Sequence, residues 1–174
     1  STLDKSCIGR ELSEPTGQHA VNNLAGIFSQ CNYQNEWALY VGDGRKPEDL
    51  EKIISEDLIV SFLHLDPARP ENSRTHALDE MAPNLDEILE AWKPYFQEKP
   101  AIMLDLSPRL LDVQRLEVES IVEKYFPGIE KTWEWVSRGQ GPVDRLALWL
   151  GLAAEHSPHR FVRIPFAEHQ DLEV

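Results

Sequence analysis

Three apolar runs in this sequence end in aspartate: Val41-Gly-Asp43, Leu65-Asp66 and Leu104-Asp105. Each is followed closely by Gly, Pro or Ser, residue types that turn the chain or open a helix. If the runs are parallel strands of one sheet, the carboxylates share its carboxyl edge, where open parallel sheets bind ligands. Carboxylates gathered there hold Mg²⁺ through oxygen ligands, and one becomes a general base where its neighbours raise its pKa. Asp105 is then the candidate catalytic residue, as metal ligand or base. Asp43 and Asp66 assist it, all three are candidate metal ligands, and Mg²⁺ is the implied cofactor. The same edge would carry Ser107, the turn holding Arg138, Gly139 and Gly141, and a long polar connection with Arg69, Arg74 and His76. Turn amides at a helix start, joined by guanidinium groups, grip an anion. Together these residues describe hydrolysis or transfer at phosphate on a small anionic molecule or nucleotide. The plain reading of the same aspartates is turn and cap chemistry, and the Ser137 to Gly141 turn has neither a P-loop lysine nor a full dinucleotide fingerprint.

The elements that would position these groups follow from periodicity. Pro100 to Gly128 is the clearest stretch. Ala101 to Leu104 is an apolar run without alternation, as in a strand buried on both faces. Ser107-Pro108 is a helix start, and Leu111, Val118, Ile121, Val122 and Tyr125 then fall on one helical face until Pro127-Gly128 stops it. Upstream, residues 1–17 read as a flexible arm. Gln18 to Cys31 has helical spacing, Trp37 to Val41 is a strand, Pro47 opens a short helix, and Leu58 to Leu65 is a strand. Asn84 with Glu87 resembles a capping box ahead of Leu85, Ile88, Leu89 and Trp92. Downstream, Glu130 to Val136 alternates like a strand near a sheet edge. Pro142 opens a last helix that is apolar nearly all round, and Arg160 to Phe166 is a final strand. This order predicts an α/β fold of the Rossmann-like or flavodoxin-like kind: a three-layer α/β/α sandwich on a mostly parallel sheet of about five strands. The predicted organisation is an arm (1–17), one domain (18–166) and a tail (167–174).

Composition bounds the partners. The chain has 174 residues and a net charge of −13, from 30 acidic and 17 basic residues. Phosphate-backbone binding is driven by Lys and Arg, so this balance argues against nucleic acid. No run is long enough to span a bilayer, and the start lacks a basic-then-apolar signal pattern, which predicts a cytoplasmic protein. Two cysteines, Cys7 and Cys31, make no disulfide framework.

Ile102-Met-Leu-Asp-Leu-Ser-Pro-Arg-Leu-Leu111 resembles the second-strand segment of class I methyltransferases, where an acid after the strand meets the cofactor ribose. That family also has a glycine-rich turn after its first strand. The one match here, Val41-Gly-Asp-Gly44, lies too far upstream, with a strand and a helix between, so the function is not carried over. The expectation therefore stands at phosphate chemistry. The alternative is a non-catalytic α/β domain that binds another protein, or a second copy of itself, through the apolar last helix or the 66–83 connection.

Overall fold

The computed structural model describes residues 7–31, 37–54, 58–68, 77–96 and 99–165. The chain divides into two compact units, Ser1–Glu56 and Asp57–Val174.

The first unit is a single βαβ turn followed by a helix. Strand β1 (Cys7–Glu11) feeds α1 (Glu14–Cys31), and β2 (Trp37–Val41) returns parallel to β1, with α2 (Glu48–Ile54) after it. Part of the stretch read from the sequence as an arm is therefore paired strand and helix. Ser13 starts α1: its carbonyl accepts from the Gly17 amide at 2.8 Å, and its side chain meets Thr16. Cys7 is a free, exposed thiol on β1.

The second unit holds a five-stranded sheet in the order β3–β4–β6–β5–β7. Its strands are β3 (Leu63–Leu65), β4 (Ala101–Leu106), β5 (Lys131–Arg138), β6 (Val143–Gly151) and β7 (His159–Ile164), with α3 (Leu85–Trp92) and α4 (Asp112–Tyr125) between β3 and β5. β3 runs parallel to β4 and β7 parallel to β5, while β6 is antiparallel to both β4 and β5. The α/β class and the five strands hold. Four of the five strands share one direction, but the sheet is mixed because of β6, and the three-layer expectation does not hold, since α3 and α4 contact one another.

The cause is β6. The segment expected as an apolar last helix is a central strand, with Leu146, Ala147, Leu148 and Leu150 all fully buried. A strand covered on both faces shows no alternation, so its pattern matches that of a buried helix. β5 lies between β6 and the edge strand β7, one strand in from the sheet's edge.

One face of the sheet is apolar. Leu65, Leu104, Leu148 and Trp133 share a register row on it. Helix α4 lies against this face, with Trp133 Nε1 donating to Glu119 at 2.8 Å and the Arg115 guanidinium 5.6 Å from the Trp135 ring. Val118 and Val122 of α4 are fully buried. Each such side chain contributes about 1.5–3 kcal/mol by leaving water. The opposite face carries a row of different character, Asp105, Ala147, Glu134 and Arg160, one residue from each of four strands.

Helix α3 begins as the sequence indicates, with the Asn84 side chain accepting from the Asp86 amide at 2.9 Å. Helix α4 begins later than expected. Ser107 closes a turn on the amides of Arg109 and Leu110, and the Gln114 side chain then accepts from the Leu111 amide at 2.8 Å. The 66–83 connection is closed at its base by paired backbone bonds between Ala68 and Ala82, both 2.9 Å. No helix among the described residues is long and apolar enough to cross a membrane.

Candidate functional site

The parallel strands β3, β4, β5 and β7 end on one edge of the second unit's sheet, where β6 begins. There an open cleft of about 600 Å³ is lined by His64, Asp66, Asp105, Arg138, Asp144 and Arg145, with Val136 among its apolar walls. Cavities of a few hundred cubic ångströms are the usual size of small-molecule sites.

Asp105 is the hub. Strand β4 continues through it to Leu106, so it projects from the sheet face instead of ending a strand in a turn. Its side chain is only 13% exposed. Arg145 holds both carboxylate oxygens, Nε to Oδ1 and Nη2 to Oδ2, each at 2.6 Å. His64 Nε2 lies 2.7 Å from Oδ2. Burial pushes the Asp105 carboxyl up, but the hydrogen bonds from Arg145 and His64 outweigh it and hold the group below the usual carboxylate range. Arg145 is stabilised as a cation in turn, first by its bonds to Asp105 against a desolvation cost, with the charges of Glu134 and Asp66 adding to the effect. A carboxylate at Nε2 fixes the Nε2–H tautomer of a neutral imidazole and leaves Nδ1 as a proton acceptor. The His64 side chain is 46% exposed and lines the cleft.

The other expected residues fall as follows. Asp66 and Arg138 line the cleft with Asp105. Arg138 is bound across the β5–β6 hairpin to Asp144 at 2.6 Å, whereas Asp66 has no hydrogen-bond or ion-pair partner among the described residues. Ser107 is a buried turn residue. Gly139 and Gly141 belong to the β5–β6 hairpin turn; Gly139 is at φ 57° and donates to the Ile164 carbonyl. The turn leads into a strand, so it offers no helix N-terminus to a phosphate. Arg69, Arg74 and His76 lie outside the described residues.

Asp43 belongs to the first unit and is already engaged. Its carboxylate takes Arg45 Nε at 3.0 and 3.1 Å, Nη2 at 2.8 Å and the Arg45 amide at 3.0 Å. The hydrogen bonds from the Arg45 side chain and amide hold its pKa at about 2. The glycine beside it is covered: a Cβ at Gly42 would fall 2.0 Å from Arg10 Nη2. Among the described residues, no group of three or more His, Cys, Asp or Glu is placed to hold a metal ion.

His64, Arg145 and Asp144 were missed by motif reading. Their partners lie 41, 40 and 6 residues away, beyond any local spacing rule. A weaker signal was present: His64 and Asp105 each sit as a single polar residue between two leucines.

No protein-family model matches the sequence, and no curated protein matches it. Among solved structures, the chain is similar to a predicted O-methyltransferase, protein Atu636 from Agrobacterium tumefaciens. That match has a TM-score of 0.50 and 12% identity, over 93% of this chain and 71% of that one. A SAM-dependent methyltransferase from Anabaena variabilis aligns at a TM-score of 0.37 and 14% identity, over 86% of this chain and 77% of that one. The first likeness bears on the fold; the second is too slight to carry an argument.

These findings correct the expected function. The fold is similar to that of a predicted O-methyltransferase, and two of the three aspartates assigned to Mg²⁺ and phosphate, Asp43 and Asp105, are held by arginines. The binding-module alternative loses its helix surface, since the expected apolar last helix is a buried strand; of its other surface, the 66–83 connection, residues 69–76 lie outside the described residues.

Proposed function

We propose that this chain is a methyltransferase-fold enzyme that moves a methyl group to an oxygen of a small polar acceptor, held in the cleft of the second unit. The observation that carries the reading is the His64–Asp105–Arg145 group at the carboxyl edge of the sheet. Fold likeness supports the reaction class, and the cleft supports a small-molecule partner.

Methyl transfer to a hydroxyl needs the hydroxyl proton removed as the oxygen bonds to the methyl carbon. His64 Nδ1 takes that proton. Asp105 holds the imidazole by its Nε2–H and stabilises the imidazolium that forms. Arg145 fixes Asp105 by both oxygens, so the carboxylate does not swing away or become the base itself. General-base help of this kind is worth about 10²–10⁴ in rate.

The donor such folds imply is S-adenosylmethionine, which supplies a methyl group made electrophilic by its sulfonium. The residues present suit it. Asp66 is a carboxylate without a partner among the described residues, in a cleft of small-molecule size. Asp66 would hold an ammonium or a hydroxyl pair, and Arg138 would hold a carboxylate.

The test is calorimetric titration and thermal shift with S-adenosylmethionine and S-adenosylhomocysteine, on the parent and on Asp66→Asn. Binding in the parent, weakened roughly tenfold in the variant, is expected for one lost charge-assisted contact. No binding of either compound to the parent overturns the reading.

A further inference from the structure

The polar row on the second face of the sheet does not stop at the cleft. Asp105 on β4 and Glu134 on β5 both pair in register with Ala147 on β6, one from each side. Arg145 lies two residues from Ala147 on the same face of β6, so it stands diagonally to both carboxylates. It binds Asp105, and the charge of Glu134 acts on it as well. Glu134 itself is buried, at 6% exposure. Its own partner is Arg160 on β7, which also grips Glu155. The row thus alternates in charge across the sheet, from Asp105 through Arg145 and Glu134 to Arg160.

We infer that the Glu134–Arg160 pair is a positioning device for the cleft: by neutralising Glu134, Arg160 leaves Arg145 to Asp105. A buried carboxylate must be paired, and two cations are within its reach. While Arg160 satisfies Glu134, Arg145 stays bidentate on Asp105 and the imidazole keeps one orientation. Without Arg160, the unsatisfied Glu134 draws Arg145 away, and Asp105 loses its main hydrogen-bond donor. Ala147 makes this exchange sterically open, because only a methyl group separates the two carboxylates along the row. The inference rests on reading the cleft as the functional site, but its test needs no ligand.

The Asp105 carboxyl carbon is followed by ¹³C NMR through an acid titration in the parent, Glu134→Gln, Arg160→Gln and the double variant. Besides Arg145 and His64, the charged groups lining the cleft with Asp105 are Asp66 from β3's end and the Arg138–Asp144 pair of the β5–β6 hairpin; these are unchanged in every variant. Glu134→Gln removes a nearby negative charge and the competitor for Arg145, so the Asp105 midpoint falls. Arg160→Gln frees Glu134 to pull on Arg145, so the midpoint rises. Each change is about 0.5 pH unit, the size expected for one partly screened charge contact. The double variant returns toward the parent. Charge alone gives shifts of these signs, so the deciding readout is the Arg145 Nε–H resonance in ¹⁵N NMR: the device moves it in Arg160→Gln and returns it in the double variant, whereas a purely structural salt bridge leaves it at the parent position, and an unmoved resonance overturns the inference. Folding is checked by circular dichroism. If Glu134→Gln does not fold, Arg160→Gln decides alone: a rise together with a moved Arg145 resonance supports the device, and an unmoved Arg145 resonance overturns it. Failure of S-adenosylhomocysteine to bind would sink the methyl-transfer reading and leave this measurement standing.

Discussion

Asp105 is worth more to this protein than its place at a strand end suggests. It satisfies Arg145 and His64 together while itself nearly buried. Asp105→Asn keeps the shape and removes the charge, so Arg145 loses its bidentate partner. Destabilisation of about 1–3 kcal/mol is expected near neutral pH, measured by chemical denaturation. The pH dependence has a definite sign. The folded-state pKa lies below the ordinary value, so the contribution is full above that ordinary value, about 3.9, and is lost as pH falls through the folded value. The gap between parent and Asp105→Asn should therefore be constant from pH 7 to about 5 and close in more acid solution. The sequence marked Asp105, Asp66 and Arg138 for one edge, and they do meet there, because strand-end residues of parallel strands share an edge whatever the strand order. Asp43 looked equivalent, yet it is a local turn carboxylate serving the arginine two residues on. The histidine and arginine that define the site were hidden because their partners are set by register, which local spacing does not encode.

At the scale of elements, the stretch from Pro100 to Gly128 was readable and the stretch from Pro142 to Ala153 was not. The first carries punctuation at both ends: a proline before the strand and a Pro-Gly after the helix. The second is rich in Leu and Ala, good helix formers, and is buried on both faces, so tertiary pairing decides its form. What ends β6 is Gly151, at φ 61°, donating to the Glu130 carbonyl at 2.9 Å. A Cβ there would lie 2.0 Å from the Pro100 carbonyl oxygen. Gly151→Ala therefore meets both a strained φ and a backbone clash. A loss of roughly 2–4 kcal/mol is expected, seen as a lower denaturant midpoint. Leucine content predicts no such sensitivity at a glycine; the cost comes from β6 being threaded closely past the start of β4.

Across the whole molecule, the two compact units differ in how well they can hold themselves. The first relies on a two-stranded parallel sheet, and sheets that small are marginal without further packing. The second has a central strand with four fully buried core residues, Leu146, Ala147, Leu148 and Leu150. Amide hydrogen exchange followed by mass spectrometry should show β1 and β2 exchanging at least tenfold faster than β4 and β6, and equal rates would contradict the contrast. The division into units left no mark in the composition, since both halves read as alternating helices and strands. The antiparallel placement of β6 has a temporal consequence. During synthesis β4 is made long before its partner, and nothing but β6 fills the place between β4 and β5. The growing chain must carry an apolar strand with one open side until the β5–β6 hairpin arrives to close it. That hairpin is local and quick to form, whereas its docking onto β4 is a long-range event. Assembly of the cleft waits on that docking, because Asp105 and Arg145 come together only when it is complete.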